Sequence, residues 1–154
     1  MAAILTQSGN LRSLSLRHNQ IGDGVRDLAV ALETNTTLST LDLLGNSIAA
    51  GAHGLAASLS RNSTLTALNL CNNHIAGALE FAAALERNTT ITSLNLNGNP
   101  IYFIHGAGFS KALASNFTLI ELLGVPGVED LISRNQAVMR SRKEQVLVVS
   151  LLCF

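Results

Sequence analysis

Leu38, Leu41 and Leu43, followed by Asn46 and Ile48, stand among polar and small residues in the order L-x-x-L-x-L-x-x-N-x-I. The same order recurs at Leu11, Leu14, Leu16, Asn19 and Ile21, at Leu65, Leu68, Leu70, Asn73 and Ile75, and at Ile91, Leu94, Leu96, Asn99 and Ile101. The asparagines at 19, 46, 73 and 99 are spaced by 27, 27 and 26 residues. A fixed period in this range marks stacked units, each too small to bury its own apolar face and each covering its neighbour.

Within a rung, the L-x-L alternation sends successive side chains to opposite faces, as in a strand. Strands are expected over 12–16, 39–43, 66–70 and 92–96, stacked into a parallel sheet with the leucines inward. The four asparagines would stack in the turn that follows, where a carboxamide can satisfy backbone groups left unpaired by the bend. Pairs at i and i+4 come next: Leu28 and Leu32, Leu55 and Leu59, Phe81 and Leu85, Phe109 and Leu113. That spacing lines one face of a helix, and the surrounding alanines favour helix and close packing. Helices are about 10 Å wide and paired strands about 4.8 Å apart, so the stack must curve with its sheet on the concave side.

Each helix runs into Asn35-Thr36-Thr37, Asn62-Ser63-Thr64, Asn88-Thr89-Thr90 or Asn116-Phe117-Thr118. All four match the glycosylation sequence N-x-[ST], but a sequence recurring at the repeat period points to structure. Asparagine tolerates the left-handed conformation that closes a helix, so a C-cap role is expected. A further rung begins at Leu119 and Leu122, where Gly124-Val125-Pro126-Gly127 replaces the asparagine turn. Beyond it, Val128, Leu131, Ile132, Val138, Met139 and Val146 follow helical spacing, as in an amphipathic capping helix. The reading divides the chain into a repeat array over 1–126 and a capping helix with an apolar tail over 127–154. At the other end, Met1, Leu5 and Ser8 align with Leu28, Leu32 and Asn35, so the chain opens in mid-repeat. The tail, Val146 to Phe154, is expected to be covered by the last repeat or by a second copy of the chain.

Charge changes this picture little. Lys and Arg balance Asp and Glu, and only 13% of the 154 residues are charged, so the basic footprint of a nucleic-acid binder is missing. Cys71 and Cys153 have no paired spacing, and a reduced cytoplasm suits them better than a disulfide framework. The first residues lack the pattern of a signal peptide, and no apolar run has the length of a membrane span.

Candidate function lies at the outward strand positions. One column holds Ser13, Thr40, Ala67 and Ser93, the next Ser15, Asp42, Asn69 and Asn95, and the third Arg17, Leu44, Cys71 and Asn97. His18, Gly45, Asn72 and Gly98 lie beside them at the strand ends. The candidate partner-binding residues are Ser15, Arg17, His18, Asp42, Leu44, Asn69, Cys71, Asn72, Asn95 and Asn97. Small hydrogen-bonding groups of this kind suit docking of a protein through direct and water-mediated contacts. Arg17, His18 and Asp42 form a small charged group within this surface. Catalysis needs a nucleophile and base, or a metal cluster, within reach of each other. Cys71 and His74 are the best pair, and the intervening Asn73 turn should make them diverge. His53 and His105 fall at different helical positions and build no metal column. No enzyme, cofactor or metal site is expected.

The rungs, with Gly51-Ala52-His53-Gly54-Leu55-Ala56 after the second, resemble ribonuclease-inhibitor-like leucine-rich repeats, and within them the GALA-type repeats of bacterial effectors, whose helix carries G-A-x-x-L-A. The resemblance covers about residues 1–123. It implies an α/β fold, a right-handed leucine-rich-repeat solenoid with a parallel concave sheet and convex helices. It further implies a non-enzymatic protein-protein interaction module, with a bacterial effector acting on a host protein as one setting. Such a protein would be cytoplasmic or delivered by a non-classical route into a host cytosol. The alternative is a substrate-selecting adaptor for a ubiquitin ligase. The G-A-x-x-L-A motif is intact only in the second repeat, and no segment is left over for an F-box.

Overall fold

The computed structural model describes Leu5 and residues 9–152, with the side chains of all of these except 103 and 144–152. Five short strands, β1 (Ser13–Ser15), β2 (Thr40–Asp42), β3 (Ala67–Asn69), β4 (Ser93–Asn95) and β5 (Glu121–Leu123), form one parallel sheet in sequence order. Register follows the repeat: Leu14 faces Leu41, Leu41 faces Leu68, Leu68 faces Leu94, and Leu94 faces Leu122. The strands are three residues long rather than the expected five, because the chain bends at both ends of each rung. Backbone bonds continue past the bend, as from Leu16 N to Asp42 O at 2.8 Å and from His18 N to Leu44 O at 2.8 Å. The fifth rung also supplies a strand, since Leu119 and Leu122 suffice to seat it on the core even without an asparagine turn.

Helices α1 (Val25–Thr34), α2 (Ala52–Leu59), α3 (Leu79–Leu85) and α4 (Phe103–Ser115) return the chain to the start of the next strand. Crossovers between parallel strands of one sheet take the right-handed sense. All eight i, i+4 residues, from Leu28 and Leu32 to Phe109 and Leu113, are buried with the strand leucines in one continuous core. Ala52, Leu55 and Ala56 of the second helix belong to it too, so the G-A-x-x-L-A segment works here as packing.

Two ladders of asparagines bind the rungs together. In the first, Asn46 Oδ1 accepts from Asn19 N at 3.0 Å and Ile21 N at 3.3 Å, while its Nδ2 donates to Leu16 O and Leu43 O. Asn73 and Asn99 repeat the pattern one and two rungs on. Asn46 and Asn73 have no exposed surface, and each of their bonds replaces water that the interior excludes. The turns around them place His18, Ser47, Asn72 and His74 at positive φ. In the last turn Pro100 cannot take that conformation. There Ile101 N folds back onto Asn99 O at 2.7 Å, as in a γ-turn, and in the next rung Gly127 stands where an asparagine would be.

The second ladder corrects the expected C-cap role of Asn35, Asn62, Asn88 and Asn116. Asn35 and Asn116 do occupy C-cap positions, but at φ −73° and −84°, in extended rather than left-handed backbone. Asn62 and Asn88 lie beyond the C-caps Ser60 and Glu86. All four act through their side chains instead. Asn62 Oδ1 accepts from Thr64 N and Leu65 N, and its Nδ2 donates to Leu32 O at 2.8 Å and Asn35 O at 3.1 Å in the preceding repeat. Asn88 and Asn116 do the same. The nitrogen that a glycan would need is thus buried and doubly engaged, which agrees with a structural reading of the N-x-[ST] sequences.

Helix α5 (Glu129–Leu152) closes the C-terminal end of the array, with Val128 just before it and Ile132 in its first turn buried. Arg134 donates to Leu113 O, the carbonyl near the end of α4, and stacks 4.4 Å over the Phe117 ring. The expected cover of the apolar tail rests on side chains from 146 onward and on residues 153–154, which lie outside the described residues. So does the alignment of Met1 and Ser8. Leu5, which belongs to that alignment, is buried, and its carbonyl accepts from Asn35 Nδ2 at 2.8 Å.

Candidate functional site: the concave sheet

Because side chains alternate across a strand, inward Leu41, Leu68 and Leu94 force Thr40 and Asp42, Ala67 and Asn69, and Ser93 and Asn95 onto the concave face. The parallel register then aligns them in rows. Asp42 is the most connected group. Its Oδ2 lies 3.6 Å from Arg17 Nε, and its Oδ1 accepts from Leu44 N and from Asn69 Nδ2, both at 3.1 Å. Of the expected charged group, Arg17 and Asp42 therefore meet. His18 instead lies over Gly45, where an added Cβ would sit 2.4 Å from its Nδ1.

The row Asp42, Asn69 and Asn95 has a structural task that sequence reasoning missed. Each side-chain oxygen accepts from the backbone N–H two residues on: Leu44 N at 3.1 Å, Cys71 N at 3.1 Å and Asn97 N at 3.0 Å. Such Asx turns start the bend that ends each strand. Asp42, Asn69 and Asn95, candidate partner-binding residues, thus also take part in forming the turns. Ser15, Arg17, His18, Asn72 and Asn97 are exposed, while Leu44, Cys71, Asn69 and Asn95 are half-buried.

A groove of about 200 Å³ crosses the sheet, lined by Thr40, Asp42, Ala67, Asn69, Ser93, Asn95, Glu121 and Leu123 over Leu41 and Leu68. It gathers Asp42, Asn69 and Asn95 from the expected set. Leu44, Cys71, Asn97, His18 and Asn72 lie outside it, nearer the turns. Glu121 and Leu123 were not expected there. They face Ser93 and Asn95 in register, and the spacing of Leu119 and Leu122 is the signal that could have placed them at outward positions of a fifth rung. The Glu121 carboxylate accepts from Ser93 Oγ.

Catalytic geometry is thin. No hydrogen bond joins Cys71 and His74 among the described residues, and His74 is exposed in a turn at φ 59°. His53 bonds Ala50 O and lies 3.0 Å from Glu80, whereas His105 Nδ1 accepts from Tyr102 N. Among the described residues, no group of three or more His, Cys, Asp or Glu is placed to hold a metal ion, and no helix is long and apolar enough to cross a membrane. The convex face carries ion pairs between successive repeats, Arg61 with Glu33 at 2.8 Å and Lys111 with Glu86 at 2.9 Å.

Comparison with known proteins agrees with this architecture. The sequence matches the family described as Leucine Rich repeat over residues 7–24, 61–78 and 87–101. No curated protein sequence matches it. Among solved structures, leiomodin-1 actin-binding site 2 superposes with a TM-score of 0.85 at 24% identity, over 97% of this chain and 95% of that one. The tropomodulin C-terminal domain from Caenorhabditis elegans gives 0.81 at 16% identity, over 94% and 96%. With its repeat sequence, five-stranded parallel sheet and asparagine ladders, the chain has the leucine-rich-repeat fold.

Proposed function

We propose that this chain is a non-enzymatic protein-binding module whose partner docks on the concave sheet, and that actin is that partner. The observation that carries the reading is the row structure of the sheet. Successive strands hold polar side chains at fixed spacing on one solvent-facing surface, while the convex ion pairs satisfy one another. Actin is supported by the leiomodin-1 structure, which spans nearly all of this chain and is described as an actin-binding site. A cytosolic setting goes with this reading. The narrower effector and ubiquitin-ligase readings draw on the segment 51–56. Direct binding of a purified ligase subunit would favour the adaptor.

Co-sedimentation with purified filamentous actin, and fluorescence titration of monomeric actin, test the proposal. Arg17→Glu combined with Asn97→Arg alters exposed concave side chains that no Asx turn uses, and should weaken binding by about 2 kcal/mol at unchanged melting temperature. Exchange of the convex pair, Glu33→Lys with Arg61→Glu, should leave binding intact. Failure of the wild-type chain to bind either form of actin would remove actin as the partner. Loss of binding on the convex exchange alone would move the interface to the helices.

A further inference from the structure

Glu121 differs from every other acidic group on the concave sheet. Asp42 is neutralised by Arg17 and has both oxygens engaged. Glu121 is exposed, has no salt bridge among the described residues, and receives only the Ser93 hydroxyl. The arginine of this face, Arg17, pairs with Asp42 at the β1 end, about four strand spacings or 19 Å away. That exceeds the Debye length of about 8 Å at physiological salt, so Arg17 does not offset the charge of Glu121.

The surroundings of this carboxylate narrow what it can take. Leu123, 38% exposed, stands two residues along the same strand, and Ala67 leaves a gap between Thr40 and Ser93 in their column. The oxygens of Asn69 and Asn95 each accept one backbone N–H and keep a second lone pair. An apolar wall, a carboxylate with no salt bridge among the described residues and spare amide acceptors suit a side chain with an aliphatic stem and a planar multi-donor cation. The groove volume of about 200 Å³ is on the scale of one side chain and too small for a folded element.

We propose that the groove between β3 and β5 is a subsite for an arginine side chain of the partner protein, with the guanidinium on Glu121 and its stem along Leu123. This rests on the reading that a partner docks on the concave sheet, and it adds the chemistry of the anchor residue. The β1 end would then face the acidic part of the same partner segment, which fixes the direction in which that segment crosses the strands.

The test uses N-acetyl-arginine amide, with the neutral isostere N-acetyl-citrulline amide as comparison, titrated into the full chain and followed by backbone amide NMR. Arginine amide should give saturable shifts concentrated at residues 95, 121 and 123. Citrulline amide, and arginine amide with Glu121→Gln, should bind at least about tenfold more weakly, as expected when a charge-assisted contact is lost. Glu121 is exposed, so Glu121→Gln should retain the wild-type spectrum elsewhere. Shifts spread evenly over the surface, or affinity unchanged within about threefold in Glu121→Gln, would overturn the proposal. The actin titration decides the concave reading separately: actin binding with no arginine subsite sinks this inference alone, and an arginine subsite without actin binding sinks only the choice of partner.

Discussion

Asn135, on the capping helix, donates from Nδ2 to Asn116 O at 2.9 Å, just as Asn116 donates to Asn88 O at 3.0 Å one repeat earlier. It also reaches Leu119 O at 2.7 Å and has no exposed surface. A residue in the second turn of α5 therefore serves as the last member of a ladder whose other members lie at the ends of helices. The cap is joined to the array by the array's own bond. Replacing Asn135 by alanine leaves two buried carbonyls without this donor and should lower stability by about 1–3 kcal/mol. Urea unfolding would measure it, and a loss under about 0.5 kcal/mol would mean that apolar contacts alone hold the cap.

Leu68 is 2% exposed at the centre of the middle strand, with Leu41 and Leu94 beside it. Leu68→Ala should destabilise by about 2–5 kcal/mol through lost transfer free energy and the cavity left behind. The same denaturant titration checks this, and a loss below about 1 kcal/mol would contradict the packing of the central rung.

Gly98 has φ +68°, and a Cβ there would fall 1.8 Å from Asn72 Oδ1. Gly98→Ala should cost roughly 1–2 kcal/mol for the left-handed backbone, plus the displacement of Asn72. Asn72→Gly fits the φ of 54° at that position and removes the obstructing oxygen. Adding it to Gly98→Ala should recover the second part, giving a coupling of about 0.5 kcal/mol or more. Strict additivity of the two changes in thermal melts would show that the close approach is unimportant.

Arg61 Nη1 lies 2.8 Å from both carboxylate oxygens of Glu33 across neighbouring helices, and the arginine is well exposed. Either Glu33→Lys or Arg61→Glu alone should cost about 0.2–1 kcal/mol, and the double exchange should restore most of it. The restoration should fade at high salt. A double exchange as costly as the sum of the single ones would mean that packing of the stems, rather than charge, holds this contact.

The rungs were legible because a leucine in a stacked unit has one place to go, and the period of 27 repeats that place along the chain. Register, core and concave columns all follow from it. The asparagine ladders were half legible. Asn46 and Asn73 were expected to satisfy the bend, but the bonds that reach into the preceding rung depend on distances between residues about 27 apart, which no local pattern encodes. Asn35 and its equivalents misled for the same reason, since proximity to a helix end suggested a cap and the real partners are carbonyls of another repeat. Glu121 was overlooked because Gly124-Val125-Pro126-Gly127, with glycine at the asparagine position 127, reads as the end of the ladder. A strand needs only its inward residues, and Leu119 and Leu122 are those. Asn135 had no repeat signal at all, lying 19 residues after Asn116 in a helix.

The turn at Pro100, where Ile101 N bonds Asn99 O and Gly127 replaces the next carboxamide of the turn ladder, makes the junctions of the array unequal. Between the first and fourth rungs every junction offers the same donors on one side and the same acceptors on the other. A duplicated 27-residue unit inserted there would find its bonds already waiting, and its neighbours would recover theirs. Placed after Pro100, it would meet no carboxamide of the turn ladder. Between the first and fourth rungs the array can therefore grow from within, each added unit widening the curved surface by about 4.8 Å while the capped end stays as it is.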